Sequence, residues 1–288
     1  MSHERKEAVI LTIRQTMKKN ALGSLRHHWG RAIGILFFLF SINVLFLLLE
    51  QLFCYLLSLN VMEEPALVVD LFQGRIQITS SMVVVTLTFA AVSFILTTPL
   101  LFGMTKWYFH QSGGERPALQ TLFTYFYSMK DLFRSIALRI MVAVRCLLWG
   151  ALFAIPSAML LAGIWMVRQW SGSYVLLVLA ALVLLEVIVT LVMGVLWFCW
   201  IQRYFLVDYL FVSGEEEGLH AILRRSVRIM KKNRVQTAAL IGSFLPWMLL
   251  CLLVVPLLFV LPYLFSSMAI NAKVLLERDR REQQADTE

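Results

Sequence analysis

The sequence predicts an all-α polytopic membrane protein with six transmembrane helices and three cytoplasmic amphipathic interfacial helices. Of its 288 residues, 59% are hydrophobic and only 15% are charged, whereas soluble domains contain about 45–50% apolar and about 25% charged residues. Five long stretches carry almost no charge, and each is long enough to cross a bilayer core of about 30 Å as a helix. Together with a mean hydropathy of +0.75, this excludes a disordered chain and an ordinary soluble enzyme.

Six spans follow from the five stretches because the last one is too long for a single crossing. The first four stretches predict one span each, at about residues 32–59, 82–105, 140–167 and 174–201. The last runs from Val235 to Ala272 and would measure roughly 57 Å as one straight helix, which tilting alone does not accommodate. Pro256 lies near its middle and lacks a backbone donor. We therefore expect two spans here, at about residues 237–254 and 257–273.

Lysine and arginine fall almost entirely on one side of this six-span arrangement. With both termini in the cytoplasm, all of the 26 lysines and arginines except Arg75 and Arg168 lie in cytoplasmic segments or toward the cytoplasmic ends of the spans, and such an excess is typical of the cytoplasmic side. The net charge of +8 therefore indicates contact with the anionic inner leaflet and not with nucleic acid. The chain divides into a basic cytoplasmic amphipathic segment, a six-span membrane domain and a charged cytoplasmic tail, at residues 1–31, 32–276 and 277–288.

Three polar stretches with helical periodicity each precede a pair of spans, at about residues 7–25, 118–133 and 215–234. One side of the first stretch is apolar and contains Ile10, Ile13, Met17, Ala21 and Leu25. The apolar side of the second contains Leu119, Leu122, Phe123, Phe126 and Phe133. Such helices are expected to lie in the inner headgroup layer, held by apolar burial and anionic lipid. The alternative, equally open from the sequence, is that they pack together as a cytoplasmic cap.

The third amphipathic stretch contains the candidate contacts for lipid headgroups. These are Arg224, Arg225, Arg228, Lys231 and Lys232. A lysine or arginine near an anionic membrane surface contributes about 1 kcal/mol of attraction. We therefore expect membrane lipids of the anionic inner leaflet as partners, and a protein partner or a homo-oligomer stays open. This set favours a protein that acts at the cytoplasmic leaflet through lipid or partner-protein contacts.

Glu186, near the middle of the fourth span, is a candidate intramembrane polar site, with Asn43 and Arg145 as candidate partners. An acidic residue at the centre of a transmembrane helix costs about 2.5–3.5 kcal/mol on insertion scales and marks a functional site by default. The functional interpretation is a small permease or exporter in which Glu186 couples transport. The structural interpretation, a neutral acid hydrogen-bonded between helices, is favoured because no second charge lies at mid-membrane on another span.

No pattern in the sequence indicates catalysis, a metal or a cofactor. The four cysteines lie in apolar stretches without a CxxC pair, and the five histidines form no HExxH spacing. A zinc site requires clustered nitrogen and sulfur ligands, and an intramembrane enzyme requires a nucleophile with a base or a metal cluster. We therefore predict that the protein is not an enzyme and uses no cofactor.

Three short stretches near the C-terminus each contain characteristic polar or aromatic residues. They begin at Ser226-Val-Arg-Ile-Met-Lys-Lys, Ser243-Phe-Leu-Pro-Trp and Leu261-Pro-Tyr. The pattern resembles an uncharacterised bacterial integral membrane protein family, the domain of unknown function 975. The positions that match this family are Ser226, Met230, Lys231, Ser243, Phe244, Trp247, Pro262 and Tyr263. The resemblance implies a multi-pass protein of the bacterial inner membrane, and it implies no chemistry because the family has no established activity.

Overall fold

All the secondary structure in the described part of the chain is helical. The computed structural model describes residues 15–26, 28–57, 80–170, 172, 174–214, 217–250 and 254–285. Five helices in these ranges are long and apolar enough to cross a membrane: Trp29–Leu56, Ser81–Gln111, Met129–Val167, Val175–Val212 and Pro256–Ala285. The predicted all-helical architecture is therefore confirmed for the described residues, with several helices long and apolar enough to cross a membrane.

Four long helices correspond to the first four predicted spans. They are α1 (Trp29–Leu56), α2 (Ser80–Gln111), α3 (Met129–Val167) and α4 (Val175–Ile201). Helices α2 and α3 extend past their apolar stretches because polar residues continue the same backbone hydrogen bonds beyond the membrane. None of the residues of α4 is buried in the protein, as expected for a helix whose apolar side chains contact lipid.

Shorter helices follow α4. A 3₁₀ turn, Gln202–Tyr204, leads to α5 (Val207–Val212), α6 (Leu219–Met230), α7 (Arg234–Gly242), α8 (Leu245–Leu250) and α9 (Val254–Ala285). Helix α6 lies within the third predicted amphipathic stretch, of which residues 215–216 are outside the described residues. It ends at Met230, so that Lys231 and Lys232 lie in a turn before α7 and do not belong to one continuous helix.

The chain forms two compact units. The first, here called the hairpin unit, comprises Ser24–Ile136, and the second, the terminal unit, comprises Met1–Gly23 and Ala137–Glu288. In the hairpin unit a 3₁₀ helix, Leu119–Phe126, packs on α2. The indole Nε1 of Trp107 donates to the carbonyl oxygen of Pro117 at 3.2 Å and holds the start of this segment.

The second amphipathic stretch does not form the helix predicted over residues 118–133. It divides into the 3₁₀ helix and the first turn of α3, which begins at Met129. Since a 3₁₀ helix has three residues per turn, Leu122 and Tyr125 fall on one side, and both are buried. Phe123, which the prediction placed on the apolar side, is 42% exposed. The segment therefore buries its apolar side against protein.

The N-terminal amphipathic stretch also packs on protein. Helical residues 15–25 place Met17 and Ala21 in a core cluster of the terminal unit that includes Leu240 and Phe244. The ammonium of Lys18 lies 4.4 Å from the centroid of the Phe244 ring. Met17, Ala21 and Leu25, which the prediction placed on the apolar side, are all buried. Ile10 and Ile13 lie outside the described residues.

The predicted hairpin of spans five and six differs from the structure in its breaks. Residues 234–250 form two short helices, α7 and α8, in place of one span at 237–254. Pro246 has no backbone N–H to donate to the carbonyl oxygen of Gly242, so the helix is interrupted and α7 ends at Gly242. Proline is tolerated in the first turn of a helix, and Pro246 lies in the first turn of α8. The predicted turn around Pro256 is wrong because α9 already begins at Val254. Residues 251–253, between α8 and α9, lie outside the described residues.

Candidate functional site

The apolar side of α6 is buried in the protein. Ile222, Leu223 and Met230 are each at most 1% exposed, at the spacing expected for one side of an amphipathic helix. The hydroxyl of Ser226 on the same side donates to the carbonyl oxygen of Arg203 at 2.9 Å. This apolar side is therefore covered by protein, including the 3₁₀ turn Gln202–Tyr204 and α5, whereas packing of the three amphipathic stretches on one another as a cap stays a prediction.

Arg225 is removed from the set of candidate headgroup contacts because it lies in an ion-pair network. Its guanidinium contacts Glu217 at 2.6 Å and Asp279 at 3.1 Å, and its side chain is only 10% exposed. Asp279, on α9, also accepts hydrogen bonds from Arg228 at 3.4 Å and from Gln283 at 3.1 Å. The network joins α6 to α9 and neutralises the charge of Arg225.

The other predicted contacts are more accessible. Arg224, Lys231 and Lys232 are exposed, and the structure gives none of them a carboxylate partner among the described residues. Arg228 is 62% exposed although it contacts Asp279. The end of α6 and the turn after it therefore present an uncompensated positive surface.

A pocket of about 410 Å³ opens beside this turn, and we call it the Trp200 pocket. Apolar side chains form its walls, among them Phe153 of α3, Leu196 and Trp200 of α4, and Val235 of α7. Its cationic residues are Lys231, Lys232 and Arg234. The sequence predictions did not include Arg234 or Trp200 in a site, because the two are distant in the chain.

Stacking on aromatic rings positions two arginines around Trp200. The guanidinium carbon of Arg234 lies 4.8 Å from the Trp200 ring centroid, and that of Arg203 lies 4.7 Å from it. Trp149 of α3 packs edge-on against Trp200, with 5.0 Å between centroids. Cation–π contacts of this kind contribute about 0.5–1 kcal/mol at exposed sites, so they orient Arg234 at the pocket without neutralising its charge.

A second pocket on the other side of the same turn has mixed charge. Its volume is about 340 Å³. Its cationic residues include Arg228, Lys231 and Lys232, and its acidic residues are Asp279 and Glu282. Because carboxylates interleave with the cations there, the Trp200 pocket is the more strongly positive of the two.

Glu186 is part of a hydrogen-bond chain between α3 and α4. The hydroxyl of Thr190 donates to Glu186 Oε1 at 2.8 Å, and Ser157 Oγ lies 2.8 Å from Thr190 Oγ1. The second carboxyl oxygen, Oε2, is buried and has no hydrogen-bond partner among the described residues. The chain borders a cleft of about 530 Å³ that is also lined by Gly150 and Gly194.

The hydrogen-bond partner that the structure gives Glu186 is Thr190, which was not among the predicted partners. Asn43 belongs to the hairpin unit, and its side-chain amide donates to the carbonyl oxygen of Leu39 at 2.8 Å, one turn earlier in α1. Arg145 has no ion pair to Glu186 in the described part of the chain. Thr190, four residues after Glu186, takes the partner's place because residues four apart are neighbours on a helix. That spacing is visible in the sequence.

Most of the family-motif positions contribute to packing or to local backbone contacts. Phe244 is fully buried and meets the Tyr263 ring at 5.0 Å between centroids, while Met230 and Ser226 lie on the buried side of α6. The hydroxyl of Ser243 donates to the carbonyl oxygen of Leu240 at 2.6 Å. Pro262 lies inside α9. Two positions differ from the others because their side chains are exposed, Lys231 and Trp247. The motif therefore mainly marks the core of the terminal unit.

The described residues include no group of three or more histidine, cysteine, aspartate or glutamate side chains that could hold a metal ion.

A family model described as "Protein of unknown function (DUF975)" matches residues 11–278. No curated protein and no solved structure matches the chain. Since the matched range covers far more than half of the sequence, the chain belongs to the DUF975 family.

Proposed function

We propose that this protein is a non-enzymatic, multi-pass protein of the bacterial inner membrane that acts at the cytoplasmic leaflet through contacts with anionic lipid or with a partner protein. The observation that carries the proposal is the exposed positive surface along α6 and the turn after it. Arg224, Lys231 and Lys232 lie there without a carboxylate partner among the described residues, whereas Arg225 is neutralised by Glu217 and Asp279. Unpaired cations of this kind attract an anionic membrane surface.

The proposal includes six spans with both termini in the cytoplasm. Helices α7 and α8 together cover residues 234–250, a length of roughly 25 Å as helix, close to the bilayer core of about 30 Å. The amide of Asn271 in α9 donates to the hydroxyl of Thr237 in α7 at 3.2 Å, as in a pair of adjacent spans. The one-sided distribution of lysine and arginine supports the same topology.

Neutralising the exposed cations is expected to lower the preference of the protein for anionic lipid. In the triple variant Arg224→Gln, Lys231→Gln, Lys232→Gln, we expect the association of spin-labelled phosphatidylglycerol, relative to phosphatidylcholine, to fall at least about fivefold, the factor that corresponds to the roughly 1 kcal/mol of a single cation, and further to the extent that the three contributions add. Electron spin resonance of the protein in vesicles measures both associations. High salt should lower the selectivity of the wild type in the same direction.

A charge-conserving variant is the matched control. Arg224→Lys, Lys231→Arg, Lys232→Arg retains all three charges and should retain the wild-type selectivity. Equal selectivity in the glutamine variant and the wild type would contradict the proposed action at the anionic leaflet.

A second candidate function is a small permease or exporter that uses Glu186. One observation favours it: the buried Oε2 atom of Glu186 has no partner in the described part of the chain and the residue borders a cleft of about 530 Å³. Polar groups at mid-membrane that border a cavity are typical of substrate or proton pathways. Thr190 and Ser157 would then position the carboxyl group through their hydrogen bonds.

The variant Glu186→Gln tests this second function. If the cleft conducts protons, wild-type protein in liposomes should dissipate an imposed pH gradient faster than empty liposomes, and the variant should return to the rate of empty liposomes. A pH-sensitive dye inside the vesicles gives the rate. Glu50→Gln, which removes an acid from α1, is the control and should leave the rate unchanged. A wild-type rate equal to that of empty liposomes, or one unaffected by Glu186→Gln, rules this function out.

A further inference from the structure

The Trp200 pocket combines positive charge with an apolar wall, and few ligands complement both. Three cations, Lys231, Lys232 and Arg234, line it, and its other lining residues are apolar. A soluble anion such as free phosphate would satisfy the cations but leave the apolar wall in contact with water. A hydrocarbon would fill the wall and leave the cations unpaired.

Two of the cations, Lys231 and Lys232, also line the neighbouring mixed-charge pocket, but the Trp200 pocket itself has no carboxylate in its lining. None of its lining residues is acidic, and no carboxylate among the described residues pairs with Lys231, Lys232 or Arg234. The neighbouring pocket at the same turn differs because Asp279 and Glu282 line it. Three cations this close repel one another, and an anion bound between them stabilises the arrangement.

The aromatic contacts orient the pocket before any ligand binds. Arg234 is held over the Trp200 ring at 4.8 Å, and Trp200 is held in turn by Trp149 and Arg203. Trp200 lies at the end of the apolar helix α4, and tryptophan is enriched at this depth, where headgroups meet acyl chains. A preorganised guanidinium loses little freedom on binding an anion.

We propose that the Trp200 pocket binds one anionic phospholipid. Its phosphate lies against Lys231, Lys232 and Arg234, and one of its acyl chains begins along Phe153, Leu196 and Val235. The volume of about 410 Å³ is in the range of small-molecule sites and accommodates the headgroup with the first part of a chain. This inference rests on the proposed action at the anionic leaflet, and it adds a discrete site to what would otherwise be a diffuse surface attraction.

Native mass spectrometry of the protein released from mixed phosphatidylglycerol and phosphatidylcholine nanodiscs tests the site. The wild type should retain one phosphatidylglycerol in preference to phosphatidylcholine. Arg234→Gln should lower the occupancy of that lipid about fivefold, since one cation near the headgroup is worth about that factor. Arg234→Lys retains the charge and should retain the lipid, which separates loss of the site from a general disturbance of the fold.

Arg224→Gln is the matched control for position. Arg224 is an exposed cation of α6 that does not line the Trp200 pocket, so its neutralisation should leave the retained lipid in place. Leu196→Trp tests the apolar wall without changing charge, because the larger ring fills the path of the acyl chain, and it should also lower the occupancy.

The possible outcomes separate the two proposals. Equal losses in Arg234→Gln and Arg224→Gln would overturn the discrete site while leaving the action at the anionic leaflet intact. Absence of any phosphatidylglycerol preference in the wild type, together with unchanged selectivity in the triple glutamine variant, would overturn both. Added glycerol 3-phosphate should not displace the lipid, and displacement by it at millimolar concentration would identify the ligand as a soluble phosphate and overturn the lipid assignment.

Discussion

Replacing Gly103 with alanine is expected to disrupt the packing of the 3₁₀ helix Leu119–Phe126 on α2. A Cβ atom at this position would lie 2.6 Å from the carbonyl carbon of Leu122 and 2.7 Å from its Cα, and closer still to its carbonyl oxygen. These are backbone atoms, so no side-chain rotation relieves the overlap. Overpacking a core typically costs about 1–3 kcal/mol, and more where the backbone must move. Thermal unfolding in detergent should show the midpoint lowered by several degrees.

Gly34→Ala is the control for this substitution. Gly34 lies in α1, and a Cβ there would meet nothing within 4 Å. Alanine has a higher helix propensity than glycine by about 1 kcal/mol in soluble peptides, so the control should be neutral or slightly stabilising. A Gly103→Ala midpoint equal to that of the control would show that the close contact between α2 and Leu122 is not present in the folded protein.

Replacing Asp279 with alanine is expected to weaken the attachment of α6 to α9. Arg225 would lose its contact with Asp279 and keep the one with Glu217 at 2.6 Å, while its side chain is only 10% exposed. Removing one partner of a buried ion pair costs about 3–5 kcal/mol, and the remaining contact with Glu217 places this case near the lower end. The free energy of unfolding, measured by chemical denaturation in mixed micelles, should fall accordingly.

An exposed ion pair on the same helix provides the comparison. Arg278 contacts Glu282 at 3.0 Å, with both side chains about two-thirds exposed. Such pairs contribute about 0.3–0.5 kcal/mol, so Arg278→Gln should leave the unfolding transition nearly unchanged. Similar effects of Asp279→Ala and Arg278→Gln would contradict the view that α6 is fastened to α9 through Asp279.

The sequence predicted the long apolar helices closely because their length and composition are local properties. The fourth span was expected at about residues 174–201, and α4 covers Val175–Ile201. The buried side of the N-terminal stretch was also found at Met17, Ala21 and Leu25, since one helical period was enough to identify it. The structure of the stretch at 118–133 was harder to predict. A 3₁₀ helix changes which residues share a side, and the hydrophobic pattern alone does not reveal its period.

The candidate sites were predicted less completely. Glu186 was identified by its position in an apolar stretch, and Thr190 could have been added from its spacing of four residues. The role of Arg225 could not be predicted, because its partner Asp279 is 54 residues away and no local pattern connects them. The role of Arg234 at the Trp200 pocket could not be predicted for the same reason, because Arg234 stacks on Trp200, which belongs to α4.

What the sequence determined by itself is a set of helices that are long and apolar enough to cross a membrane. The free energy of transferring a segment from water to lipid depends on the composition and length of that segment, and both can be read directly from the sequence. What only the tertiary structure decided is which charges are available to a ligand. Ion pairing depends on distances of a few ångströms between groups far apart in the chain, so folding neutralised Arg225 and left Lys231, Lys232 and Arg234 without a carboxylate among the described residues.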